Sequence, residues 1–123
     1  MAKPHKDHGY IDFVDGEELF WCIETLWAAV EGIDPREVPI DSLPWREDDA
    51  AVFSSEPPKW GEVADHFKRA MGADLSYPII IDRERNVWDG MHRIFKAHAA
   101  GHKTLQVVTL DPIPPPDRVR PLT

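Results

Sequence analysis

The chain has 123 residues, enough for one domain with a single modest core. Its formal net charge of −8 argues against broad, non-specific binding to nucleic acid, which requires a basic surface. The single cysteine excludes an internal disulfide and fits a reducing cytoplasm, so we expect a cytoplasmic protein. The first residues lack the apolar stretch of a signal peptide, and no run approaches the roughly 20 apolar residues of a membrane-spanning helix.

The first strong pattern lies in residues 15–31, which predict an amphipathic helix. Asp15 has the position of an N-cap, and Glu18 follows three residues later at the spacing of a capping box. We expect this helix to pack on the domain, and a homodimer contact through it is the alternative. The apolar side chains that share its predicted face are Leu19, Ile23, Leu26, Trp27 and Val30.

A strand, an acidic segment and a second helix are expected next. Residues 38–43 predict the strand, and residues 45–50, WREDDA, predict an acidic loop or short helix. Residues 60–71 predict a second amphipathic helix. His66 and Lys68 lie off its apolar face, so we expect both at the surface. That face consists of Trp60, Val63, Ala64, Phe67, Ala70 and Met71.

The pattern of residues 77–110 predicts strand, turn, strand, helix and strand in that order. Residues 78–82, PIIID, are a short apolar run bounded by proline and charge, which indicates a buried strand. Residues 87–88 fit a second strand that pairs back on the first. A helix over about 91–100 ends at a glycine, and the β-branched residues of 104–110 indicate another strand. We therefore expect an α+β fold in which helices pack on a small mixed sheet.

The junction DGMHR at residues 89–93 carries the strongest functional signal. Glycine lets the backbone approach a ligand closely, and the first turn of the next helix presents N–H groups that lack intrahelical acceptors. Such a helix start attracts phosphate or carboxylate. Cationic side chains at residues 92 and 93 suit the positive end of a helix dipole only if an anion lies between them. The predicted phosphate-binding residues are Asp89, Gly90, Met91, His92, Arg93 and Lys96.

This arrangement resembles the ParB/sulfiredoxin-like superfamily, in which a Gly-x-(His/Arg)-Arg corner receives nucleotide phosphates. The residues that carry the likeness are 78–82, 88–93, Ala97, Ala100-Gly101 and 106–108, with 38–43 as the counterpart of the opening strand. The likeness covers residues 36–111 of a single-domain chain. Residues 1–35 are then an extension that contains the first helix, and residues 112–123 are a proline-rich tail. Members of that superfamily include DNA-partition proteins that bind CTP, sulfiredoxins that use ATP, and kinases that act on free serine.

The resemblance implies a nucleoside triphosphate with Mg²⁺ as the cofactor and, if the protein is an enzyme, a phosphotransferase or NTP hydrolase. Under that hypothesis Glu47 and His92 are the catalytic candidates, and Asp48 and Asp82 are the metal ligands. The alternative is that Glu47 and Asp48 belong to a solvated acidic loop and that Asp82 caps a turn. Met91 stands where sulfiredoxins have their reactive cysteine, and a thioether is not a nucleophile of that kind. Sulfiredoxin chemistry is therefore excluded.

Three functional hypotheses remain. The first is a non-catalytic module that binds a nucleotide, another protein or, through a local basic strip, DNA; the net charge disfavours DNA as a partner. The second is the Mg²⁺-dependent enzyme, which acts on a small hydroxyl compound or water. The third is a junction that only shapes the turn into the helix. The prolines of residues 111–123 predict an extended segment that is a plain tail or docks in an aromatic groove, and they disfavour a helix-turn-helix there.

Overall fold

The computed structural model describes residues 9–46 and 56–123, which form a small α+β domain. This class is the predicted one. The strands are β1 (Gly9–Val14), β2 (Glu17–Cys22), β3 (Arg36–Pro39), β4 (Ile79–Ile81), β5 (Val87–Asp89), β6 (Thr104–Thr109) and β7 (Arg118–Pro121). The helices are α1 (Ile23–Ala29), α2 (Trp60–Met71) and α3 (Met91–Ala99), with short 3₁₀ turns at Ile40–Ser42 and Pro44–Arg46. One sheet has the order β1-β2-β7 and the other the order β3-β6-β4-β5.

The four-stranded sheet is covered on both faces because the side chains of β4 alternate between them. Ile79 and Ile81 pack with Ile94 of α3 on one face. Ile80 packs with Trp88 on the other face, beneath the three-stranded sheet and α1. β4 and β6 are parallel, and the chain between them runs through β5 and α3. This crossover places α3 over the sheet, in the order that the sequence pattern predicts.

The amino-terminal part of the described chain is a β-hairpin, so the prediction of a helix that begins at Asp15 is wrong. Asp15 and Gly16 form the tight turn between β1 and β2 with φ of 52° and 77°. Two positive φ values are what a two-residue hairpin turn requires, and Asp-Gly is a strong signal for it. The hairpin is stabilised by packing, because Tyr10 stacks on Trp88 with ring centroids 4.0 Å apart. Helical structure starts only at Ile23.

Asp117, from the far end of the chain, holds the start of α1. Its carboxylate accepts a hydrogen bond from the amide of the N-cap residue Cys22 at 2.7 Å and another from the Thr25 hydroxyl at 2.9 Å. In a capping box the acceptor for the N-cap amide is the side chain three residues later, the role that the pattern assigns to Glu18. Burial, followed by the charge of Asp117 and its hydrogen bond, raises the pKa of the Cys22 thiol. The thiol form is therefore favoured over the more reactive thiolate.

We expect Asp117→Ala to lower the free energy of unfolding by about 1–2 kcal/mol, because it removes the acceptor of two hydrogen bonds. Urea unfolding followed by circular dichroism measures it. Asp111→Ala is the control in the same segment, because Asp111 makes only a 3.7 Å ion pair with the exposed Arg83. Equal losses from both substitutions would contradict this role of Asp117 at the start of α1.

Helix α2 has the predicted bounds, but only part of its predicted apolar face is buried: Ala70 is buried and Val63 is half-buried, whereas the large side chains are exposed. Trp60, Phe67 and Met71 are 88%, 67% and 75% exposed. His66, expected at the surface, is buried at 9% exposure and faces α3 together with Ala70. The physical reason is the layering of the domain: α3 already covers this face of the sheet, so α2 packs on α3 through the side that carries His66 and Ala70.

Two further segments differ in detail from the expected pattern. The strand predicted at 38–43 is β3, which pairs with β6 and ends at Pro39. The chain then turns, and the Ser42 hydroxyl donates to the Pro39 carbonyl at 2.6 Å. The proline-rich segment lies on the domain, where Trp21 Nε1 donates to the Pro114 carbonyl at 2.7 Å and β7 pairs with β2 as an edge strand. No helix of the described residues is long and apolar enough to cross a membrane.

Candidate functional site

The junction between β5 and α3 is shaped by Gly90. This residue is the N-cap of α3 and has φ of 122° and ψ of 17°, a backbone conformation that residues other than glycine rarely adopt. A Cβ at this position would lie 2.5 Å from Ile79 Cδ1 and 3.2 Å from an Arg93 guanidinium nitrogen. Gly90 thus lets Arg93 fold back along the junction, and it brings no side-chain acceptor to the first-turn amides.

Arg93 is held at the junction rather than turned into bulk water. One guanidinium nitrogen lies 2.8 Å from Asp89 Oδ2, and the two side chains are only 12% and 19% exposed. Trp27 Nε1 donates to the same oxygen at 3.1 Å, and the guanidinium lies over the Trp27 ring at 5.6 Å. A guanidinium has five N–H donors. Within the described chain Arg93 donates one hydrogen bond, to Asp89, so most of its donor capacity is unused.

Arg93 also lines a pocket of about 190 Å³ beside α3. Of the residues predicted to bind phosphate, it is the one that lines this pocket, so the junction and the pocket are joined through its guanidinium. The walls combine apolar and polar groups and contain a carboxylate from the β3 edge. The lining residues are Glu37, Leu75, Tyr77, Ile79, Arg93, Ala97, His102, Thr104, Leu105 and Gln106.

His92 makes a close contact with α2. Its Nε2 lies 2.7 Å from His66 Nδ1, and the two rings stack with centroids 5.0 Å apart. A hydrogen bond between two imidazoles requires one nitrogen to accept, so at least one of the rings is neutral. His92 therefore serves in the packing of α2 on α3, and its Nε2 is engaged in that contact.

Lys96 is directed away from the pocket. Its ammonium donates to the Ala73 carbonyl at 2.7 Å, just beyond the end of α2. Hydrogen bonds from Ser76 lower the pKa of Asp74 below its ordinary value. Burial opposes this shift, and the charges of Lys96 and Arg93 add to it. Lys96 and Arg93 thus lie on the same side of α3, but Lys96 joins helices instead of lining the cavity.

The carboxylates predicted to act on a metal or in catalysis give no metal site in the described chain. Asp82 Oδ1 accepts the amides of Glu84 and Asn86, while Oδ2 accepts Asn86 Nδ2 and Trp88 Nε1, all at 2.9–3.0 Å. This is the turn-capping alternative, and a carboxylate with four donors does not suit Mg²⁺. Glu47 and Asp48 lie outside the described residues. Within residues 9–46 and 56–123, no three His, Cys, Asp or Glu side chains cluster as a metal site would require.

Sequence reasoning missed the aromatic surroundings of Arg93. Trp27 and Tyr77 lie edge to face with centroids 6.3 Å apart, and Trp27 holds Asp89. Trp27 is 62 residues away from Asp89 in the chain, so no local pattern connects them. Tyr77 precedes a predicted strand and is marked by nothing except its aromatic ring.

Comparison with known proteins gives no relative at any level: no family model, no curated protein and no solved structure matches this chain. The geometry around Arg93 is therefore the basis for assigning a function.

Proposed function

We propose that this domain binds the phosphate group of a nucleotide through Arg93, and that binding of the nucleotide, not its turnover, is the primary role. The observation that carries the proposal is the guanidinium itself. It is almost buried, is fixed by Asp89 and Trp27, lines a pocket, and has most of its N–H donors unused within the described chain. Pre-organised guanidinium groups favour phosphate because two parallel N–H donors match two of its oxygens.

The start of α3 adds a second attraction for an anion. The first-turn N–H groups of a helix carry partial positive charge, and Gly90 leaves them without a side-chain cap. Asp89 offsets part of the charge of Arg93 because it forms the 2.8 Å ion pair. We therefore expect moderate affinity, in which the helix start supplies attraction that the ion pair removes.

The volume of the pocket limits which part of the ligand it holds. Sites that enclose whole drug-sized ligands measure about 300–1,000 Å³, and this pocket measures about 190 Å³. It suits a phosphate end better than a complete nucleotide. The sugar and base would then lie outside, where the half-exposed ring of Tyr77 offers a stacking surface at the rim.

The proposed binding of phosphate requires neither a Mg²⁺ site nor a catalytic group on this chain. The oxygens of Asp82 already accept four hydrogen bonds, and Mg²⁺ requires carboxylate oxygens that are open to it. The phosphotransferase or hydrolase hypothesis and a role as a protein-interaction module have no specific observation in their favour. A DNA-associated role would have to rely on a local patch, because the net charge is −8.

We expect ATP, CTP, GTP or ADP to raise the thermal unfolding temperature of the wild type, and Arg93→Lys to abolish most of the shift. At about 100 times its dissociation constant a ligand stabilises by about 2.7 kcal/mol. Lysine keeps the positive charge opposite Asp89 but loses the planar fork that matches phosphate. Differential scanning fluorimetry over the four nucleotides and pyrophosphate, with and without Mg²⁺, measures the effect.

Arg83→Lys is the matched control, since Arg83 is 78% exposed and makes only a 3.7 Å ion pair with Asp111. It should respond to ligand as the wild type does. A pyrophosphate shift equal to that of the nucleotides would indicate that recognition stops at the phosphates. If no ligand stabilises the wild type, or if Arg93→Lys responds fully, the proposal is wrong. Phosphate release during the same incubations would favour the enzymatic hypothesis instead.

A further inference from the structure

The outer side of α2 carries an uncovered apolar stripe that consists of Trp60, Ala64, Phe67 and Met71. These positions recur at four, three and four residues, so they form one line along the helix. Trp60, Phe67 and Met71 are the three most exposed large apolar side chains of the described chain. The opposite side of α2 already contacts α3, so the stripe faces away from the domain.

We propose that this stripe binds the same stripe of a second copy, with the two α2 helices antiparallel. The order of large and small side chains supports a self-complementary contact. When the two-fold axis passes between residues 65 and 66, Trp60 lies opposite the partner's Met71, and Phe67 lies opposite the partner's Ala64. Each aromatic ring then meets a flexible or small side chain, and the same surface serves both copies, as two-fold symmetry requires.

Charge complementarity favours this pairing over contact with an unrelated partner. Asp65 and Lys68 are exposed on one flank of the stripe, and neither forms an ion pair with another described residue. In the antiparallel arrangement Lys68 lies about 3 Å along the axis from the partner's Asp65, which the lysine stem can span. The two-fold axis makes this pair twice. A parallel two-fold arrangement would put the Asp65 and Lys68 flanks of the two copies on opposite sides of the contact, so this ion pair would not form.

The size of the contact predicts a reversible dimer rather than an obligate one. Aromatic side chains bury about 150–250 Å² each. Trp60 and Phe67 of the two copies supply four rings, which together contribute roughly 600–1,000 Å². Interfaces below about 1,200 Å² are typical of weak or transient association, and we expect a Kd on the order of 10–100 µM.

Sedimentation velocity over a concentration series tests the dimer. The wild type should move from 14.1 kDa towards twice that mass as concentration rises. Phe67→Ser should raise Kd at least tenfold and keep the fold, because the ring is already mostly exposed. Phe13→Ser is the matched control, since Phe13 is a similarly exposed ring on β1. A wild type that stays monomeric, or two variants that weaken the dimer equally, would overturn the proposal.

A charge exchange tests the orientation. Asp65→Lys alone and Lys68→Asp alone should each weaken self-association, because like charges then meet across the two-fold axis. An equimolar mixture of the two variants should form a heterodimer, since each lysine of one chain faces an aspartate of the other. Failure of the mixture to associate, while the wild type does, would exclude the antiparallel arrangement. This test does not involve Arg93, so its outcome is independent of phosphate binding.

Discussion

Gly90→Ala should lower the free energy of unfolding by about 2–6 kcal/mol, the largest effect that we expect from a single methyl group in this domain. Two costs combine. A φ of 122° is unfavourable by about 1–3 kcal/mol for a residue with a Cβ. The new Cβ would also lie 2.5 Å from the buried Cδ1 of Ile79, and overpacking of a core typically costs about 1–3 kcal/mol. Equilibrium urea unfolding measures the loss.

Two other glycines separate these costs. Gly101 has φ of 82° with open space around it, so Gly101→Ala should cost only about 1 kcal/mol. Gly61 lies in α2 with no positive φ and no close neighbour, and Gly61→Ala should be neutral or stabilise by up to about 1 kcal/mol. If Gly90→Ala were no worse than Gly101→Ala, the contact with Ile79 would not limit this junction.

Asp82→Ala should destabilise by about 2–4 kcal/mol at neutral pH, because it removes the acceptor of four hydrogen bonds. Trp88 is 7% exposed, so its indole N–H would be left nearly without water. Asp82→Asn should lose less, since the amide oxygen still accepts from the backbone while its NH₂ opposes the other donors. Asp34→Ala, at an exposed position, is the control and should change stability by less than about 0.5 kcal/mol.

The stabilisation from Asp82 should depend on pH in a defined direction. Burial raises the pKa of Asp82, but the hydrogen bonds from Trp88, Asn86 and Glu84 outweigh it, so its pKa lies below the ordinary 3.8. The unfolded chain therefore takes up the proton first as pH falls, and the stabilisation disappears as pH drops from 3.8 through the lowered value. Unfolding from pH 7 to pH 2 should show the wild type approaching Asp82→Asn at low pH. A constant difference would contradict this role of the carboxylate.

The carboxy-terminal half was predictable because its signals are local. Residues 79–81 are three consecutive isoleucines, a glycine stands at each end of α3, and β6 is rich in β-branched residues. In the amino-terminal half two local signals competed. Asp15 followed by Glu18 fits a capping box, but Asp15-Gly16 also fits a hairpin turn, and contact between Tyr10 and Trp88 favours the hairpin. Helical periodicity did not reveal the strand, because Leu26 and Val30 of the predicted face are also buried in the observed structure.

The features of the candidate site also fall into those with local sequence signals and those that depend on distant contacts. A glycine and an arginine at the start of a helix that follows a strand could be read from the residues alone, because these features depend on neighbours within a few positions. The contacts of Trp27 with Asp89, of Lys96 with the end of α2 and of Asp82 within its turn became visible only in the folded domain. It also decided which side of α2 is exposed. Side-chain partners and buried faces depend on which layers are already covered, and that is a property of the packed domain.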